Sequence, residues 1–161
     1  YEGTDVGRGE DLDAFVIRPL LDDEVRLALP VDHPLAGSEV VDLSGAADEP
    51  WIAGCPRCRG HLVSLAHRAG FSPNVAFESE DYVAVLGLVR AGLGVSLVPD
   101  LILKSAPHEG IATRSLSPSS RRQIHAVTTA DLLRVPAVAA TLEALEASAA
   151  AMPPVSTLRT P

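Results

Sequence analysis

The sequence predicts an α/β fold, and three observations carry that prediction. Through the middle of the chain, β-rich runs alternate with segments of helical periodicity. The 161 residues are 47% hydrophobic and 21% charged, apolar enough to build a core and too weakly charged for a disordered chain. No apolar run approaches the ~20 residues that a bilayer span needs. A chain of this length can bury roughly 70% of its unfolded surface as one domain or two small lobes. The formal net charge of −8 offers no basic stripe to release counterions from phosphates, which argues against a non-specific polyanion binder.

Taken in order, residues 1–11 read as a polar, Gly-rich loop. They lack the charged start and apolar core of a signal peptide, and a first residue of Tyr1 reads as the start of a fragment of a longer chain. Residues 14–21 and 25–31 read as two adjacent strands joined by an acidic turn at Asp22-Asp23-Glu24. His33-Pro34-Leu35-Ala36-Gly37 is a connector, since the pre-proline restriction and the glycine both interrupt regular structure. Residues 42–48 suggest a short helix or turn before a strand over 50–53. GCPRCRG, residues 54–60, is rich in turn residues and reads as a loop.

Leu62, Leu65, Ala66 and Ala69 then recur at helical spacing, predicting an amphipathic helix over 61–69 stopped by Gly70. A short strand over 75–77 precedes Ser79, which can cap a helix over about 80–91 or donate to a ligand. Glu80 and Asp81 would complement the dipole of its first turn. Tyr82, Val85, Leu86 and Val89 form the expected buried stripe, with Gly92 at the end. Further strands are predicted over 95–98, 111–116 and 122–127, with one helical turn over 100–105. Pro136 opens a helix over 136–150 whose apolar face is Val138, Leu142 and Leu145. Residues 151–161 read as a disordered tail. The sheet is expected to be largely parallel.

Two cysteines are too few for a disulfide framework, which makes the cytoplasm the default compartment. Their CxxC spacing admits three readings. A zinc site would need His61 and His67 beside Cys55 and Cys58. Those histidines lie ~120° apart around a helix and ~9 Å along it, too far for one tetrahedral ion with ~2.0–2.3 Å bonds. A redox pair is more plausible, because a helix N-terminus flanked by Arg57 and Arg59 favours a thiolate. The simplest reading is packing. Under any of them, backbone N–H groups and two arginines meet at a helix start, which is a natural anion site.

The remaining candidates read as structural. His33 fits a turn. Gly92 and Gly94 suit a helix stop and a close-packing position, without the spacing of a nucleotide loop. Glu78, Glu80 and Asp81 suit a solvated face. Ser64 and His67 share a helix but have no third group to orient them, so no catalytic set emerges, nor any metal or cofactor site.

The runs VRLALPVDHPLAGSEVVDLSGAADEPWIAG (25–54) and ESEDYVAVLGLVRAGLGVSLVPDLIL (78–103) resemble the effector-binding domain of LysR-type transcriptional regulators. That family shows a strand ending in Pro, then His-Pro-Leu, and later V-x-x-G-x-G-[VI]-x-x-[LV]-P, here Val89 to Pro99. The likeness spans about residues 12–150. It implies a type 2 periplasmic-binding-protein fold: two α/β lobes joined by crossover strands, with a small effector in the cleft between them. On that pattern 12–41 and 122–150 make lobe I, incomplete at its N-terminal side, and 42–121 make lobe II.

The resemblance also implies an effector site, for which Gly54, Cys55, Arg57, Cys58, Arg59 and Ser79 are the candidates. The effector is expected to be small and anionic, with no cofactor. Self-association as a dimer or tetramer would belong to the parent, as would DNA binding through an N-terminal winged helix-turn-helix that is not in this sequence. No membrane partner is implied. The alternatives are a solute-binding protein of the same fold acting in transport, and a CxxC thiol redox sensor. An incomplete lobe I should bare apolar surface around Phe15, Ile17, Leu27 and Leu29.

Overall fold

One long strand organises the chain. In the computed structural model, which describes residues 15–152, β1 runs unbroken over Phe15–Pro30. The acidic turn expected at 22–24 does not form. Asp23 is only 2% exposed, and both Nε and a terminal nitrogen of Arg122 donate to one of its carboxylate oxygens at 2.8 Å. The buried Glu24 faces Arg26 at 3.7 Å. Carboxylates that find cationic partners can sit inside a strand instead of turning out to water.

The chain divides into two compact units, one of residues 24–120 and the other built from the segments before and after them. In the 24–120 unit, β1 is a central strand. Val25 to Ala28 pair antiparallel with β5 (Ser96–Pro99), and Leu27 to Pro30 pair antiparallel with β6 (Ile111–Ser117). β2 (Val40–Asp42) lies parallel to β6, giving the order β2-β6-β1-β5. β3 (Pro50–Ala53) and β4 (Asn74–Glu78) form a parallel pair. A parallel bridge between Trp51 and Val95 ties that pair to the entry of β5. The sheet is therefore mixed, not largely parallel. Because 25–30 and 40–42 bond to β5 and β6, they group with 42–120, and not with the terminal segments as expected.

The period-2 alternation of these strands sends successive side chains to opposite faces, and both faces are covered. Leu27 and Leu29 pack with Trp51, Leu62 and Leu65, the last two from α1 (Pro56–Arg68). Ala28 and Ile52 pack instead with Val85, Leu86 and Val89 of α2 (Tyr82–Arg90) and Leu103 of α3 (Asp100–Ser105). Leu27 and Leu29 are thus fully buried, contrary to the exposure expected of them. Trp51, also fully buried, stacks on Phe71 at 6.2 Å. Gly94 has φ +156, and a Cβ there would collide with the Pro50 carbonyl, so the approach of β3 to the segment entering β5 requires glycine.

The second unit, as described, holds the first part of β1, all but the first residue of β7 (Ser120–Thr129), which pairs with β1, and α4 (Pro136–Ala151). Phe15 and Ile17 are 40% and 45% exposed, as the sequence led us to expect. No residue of α4 is buried. The expected loop over 1–11 lies outside the described residues, as does the expected tail except for Ala151, the last helical residue, and Met152.

Candidate functional site

Parallel strands followed by helices bring loops and helix starts to the carboxyl end of the strands, where open α/β sheets place ligands. β3 and β4 build such an edge. β3 leads through Gly54 to Cys55, the N-cap of α1, with Pro56 setting φ for the first turn. The helix therefore starts five residues earlier than the apolar spacing alone predicts, and CPRCRG is its first turn instead of a loop. At the end of β4, the Ser79 N–H donates to the Ala53 carbonyl at 3.1 Å, holding the two strand ends together.

Ser79 does not cap α2. Its hydroxyl accepts from the Asp81 N–H at 3.2 Å, and Asp81 is the cap, accepting from Val83 N–H at 2.8 Å. Tyr82, the first helical residue, is half-buried, and its hydroxyl lies 3.4 Å from the Cys58 sulfur. The two sulfurs lie 3.0 Å apart as free, half-buried thiols. A Cβ on Gly54 would meet the Cys58 Cβ at 3.0 Å, so glycine leaves that side chain its room.

The two thiols differ. A hydrogen bond from Cys58 holds Cys55 below the ordinary thiol range, helped by the backbone N–H groups of Cys58 and Arg57 and opposed by burial and the Glu80 charge. Burial pushes Cys58 up, as does its role as donor to Cys55, while the Tyr82 hydroxyl pulls it down. A neighbouring thiol and the helix-start N–H groups are thus what favour the Cys55 thiolate. Arg59 instead makes a 2.7 Å ion pair with Glu78 across a solvent-exposed surface. Arg57 is exposed on the same turn. Cys55 makes no side-chain capping hydrogen bond, so it leaves the helix start without the usual oxygen acceptor.

The structure brings Gly54, Cys55, Cys58 and Ser79 together. It diverts Arg59 to Glu78 and adds Tyr82, which the sequence placed only in a buried stripe. The signal for Tyr82 was its place as the first residue after the Asp81 cap. His33 is structural: its Nδ1 accepts from Leu35 N–H at 3.1 Å and its Nε2 meets Glu49 at 3.1 Å. The Nε2 of His61 lies 2.9 Å from the Ser120 hydroxyl.

The chain belongs to the LysR substrate binding domain family, whose model matches residues 6–150. Its fold is that of the LysR effector-binding domains, the type 2 periplasmic-binding-protein class. The HTH-type transcriptional regulator AlsR of Bacillus subtilis is 38% identical over 77 residues, covering 45% of this chain and 26% of AlsR. The Synechocystis PCC6803 CcmR regulatory domain, solved in complex with 2-PG, superposes with a TM-score of 0.76 at 22% identity. That match covers 87% of this chain and 69% of the other. The effector binding domain of QuiR, in complex with shikimate, gives 0.70 at 23% identity, covering 88% and 68%. The chain spans about a quarter to a third of the length of curated relatives such as AlsR. Among the described residues, no helix is long and apolar enough to cross a membrane.

Proposed function

We propose that this chain is the effector-sensing part of a LysR-type transcriptional regulator, taking a small anionic metabolite at residues 54–60 and Ser79. The family match over residues 6–150 supports the sensing role, as do solved relatives captured with 2-PG and shikimate. The observation that carries the site is the start of α1, where no side-chain oxygen caps the helix and the Cys55 sulfur alone faces the Arg57 and Cys58 N–H groups. Such a terminus presents N–H donors and the positive end of the dipole to an anion. Ser79 is held at the end of β3 through its N–H to the Ala53 carbonyl, and Arg57 stands on the first turn. An arriving anion would compete with Glu78 for Arg59.

In the parent, DNA binding belongs to an N-terminal helix-turn-helix, self-association accompanies these domains, and the protein works in the cytoplasm without catalysing a reaction. Effector binding then acts by differential affinity for two states of the regulator. The test is calorimetric titration with inorganic phosphate and a panel of small mono- and dicarboxylates. A ligand that binds should lose roughly tenfold to a hundredfold in affinity for each of Arg57 and Arg59 replaced by Gln, since each charge-assisted hydrogen bond is worth ~1.5–3 kcal/mol. Unchanged affinity in the double variant contradicts the site.

A further inference from the structure

We propose that Cys55 and Cys58 form a redox-active vicinal dithiol that peroxide closes reversibly to an intrachain disulfide. The sulfurs already lie 3.0 Å apart in a hydrogen bond. A disulfide bond of ~2.05 Å therefore needs an approach of only about 1 Å, within the first turn of a helix whose Pro56 is fixed in φ. Neither cysteine belongs to the apolar clusters on the two faces of the sheet, and both are partly open to solvent. Packing within those clusters therefore does not account for them.

The environments divide the labour. Cys55, the more exposed sulfur, is held towards thiolate by Cys58 and by the helix-start N–H groups, the character that peroxide attack requires. Cys58 sits deeper, between Gly54 and the Tyr82 hydroxyl, and is held towards the neutral thiol by burial. In the first step the Cys55 thiolate attacks a peroxide oxygen. An S–O bond forms, the O–O bond breaks, and the departing hydroxide takes a proton to become water, leaving a sulfenic acid. In the second step the Cys58 sulfur attacks the Cys55 sulfur. The S–S bond forms, the S–O bond breaks, and the hydroxide leaves with the Cys58 proton as a second water. The balance is two thiols and one hydrogen peroxide to one disulfide and two waters, the thiols losing the two electrons that the peroxide gains. The Tyr82 hydroxyl, by stabilising negative charge on Cys58, is a positioning residue for the second step.

The proposal stands apart from the effector reading and is tested without any effector. The whole chain is treated with hydrogen peroxide, alkylated with iodoacetamide and weighed. The expected product takes up no alkyl group, is about 2 Da lighter than the reduced chain, and regains both labelling sites after dithiothreitol. Cys58→Ser should stop at a sulfenic acid on Cys55 that dimedone traps, and Cys55→Ser should react at least about tenfold more slowly. Two thiols that stay open to alkylation, or a disulfide formed only between chains, would overturn the proposal. The wild-type measurement decides it even if a variant fails to fold.

Discussion

The two units of the chain differ in what they bury. Every buried hydrophobic residue among those described lies between Val25 and Leu116, inside the 24–120 unit. In the terminal unit the buried residues are the polar Asp23 and Thr128, whereas Phe15, Ile17, Val127, Leu132, Val135 and Leu145 are exposed. Both contain strands and a helix, but α4 is Ala-rich and its apolar stripe is weaker than those of α1 and α2. In the larger unit each apolar stripe meets another: α1 covers one face of the sheet, α2 and α3 the other. On α4 no residue is buried, and Val138 and Leu142 of its stripe are only half-buried. An amphipathic pattern reports a capacity to bury surface, and only a matching surface turns it into stability.

The largest effect should come from cutting the larger core. Leu27→Ala should cost about 3–5 kcal/mol in urea unfolding, while Leu145→Ala, 43% exposed, should cost less than about 1 kcal/mol. Equal losses would erase the distinction between the units. Glycines sharpen it next. Gly94→Ala should cost about 2 kcal/mol or more, from strain at positive φ and collision with the Pro50 carbonyl. Gly37→Ala, with open space around it, should change the melting temperature little.

The smallest effect is titrimetric. Hydrogen bonds from the Ser44 hydroxyl and then its N–H hold the exposed Asp42 below the ordinary carboxylate range. A depressed acid stabilises the fold above its unfolded value and loses that contribution as pH falls through the folded value. The Ser44 amide resonance should therefore move with a midpoint below that of a free aspartate. An ordinary midpoint would place the bond outside the solution structure.

Much of this architecture was legible in the sequence, because local signals and tertiary contacts agreed. Leu62, Leu65 and Ala66 predicted the buried face of α1, and Val85, Leu86 and Val89 that of α2. Gly70 and Gly92 have the positive φ of helix stops. The failures were non-local or concerned boundaries. Asp22-Asp23-Glu24 looks like a turn until Arg122, 99 residues on, supplies its cation. Leu27 and Leu29 looked bare because the partners expected for them lay elsewhere, whereas β5, β6 and α1 cover them. Pro56 reads as a loop residue in the sequence, yet it is the first position of α1. At the site, the CxxC was visible from spacing, but the Arg59–Glu78 pair and the Tyr82 contact depend on how β4 and α2 approach α1. No linear pattern records that approach.

Native-state amide hydrogen exchange tests the difference between the units most directly. Amides of 25–29, 95–98 and 111–116 should exchange roughly a hundredfold or more slowly than those of 122–129 and 140–151, since the former open only with the core. Uniform protection across both sets would show that the terminal unit is held as firmly as the larger one, and would contradict the account.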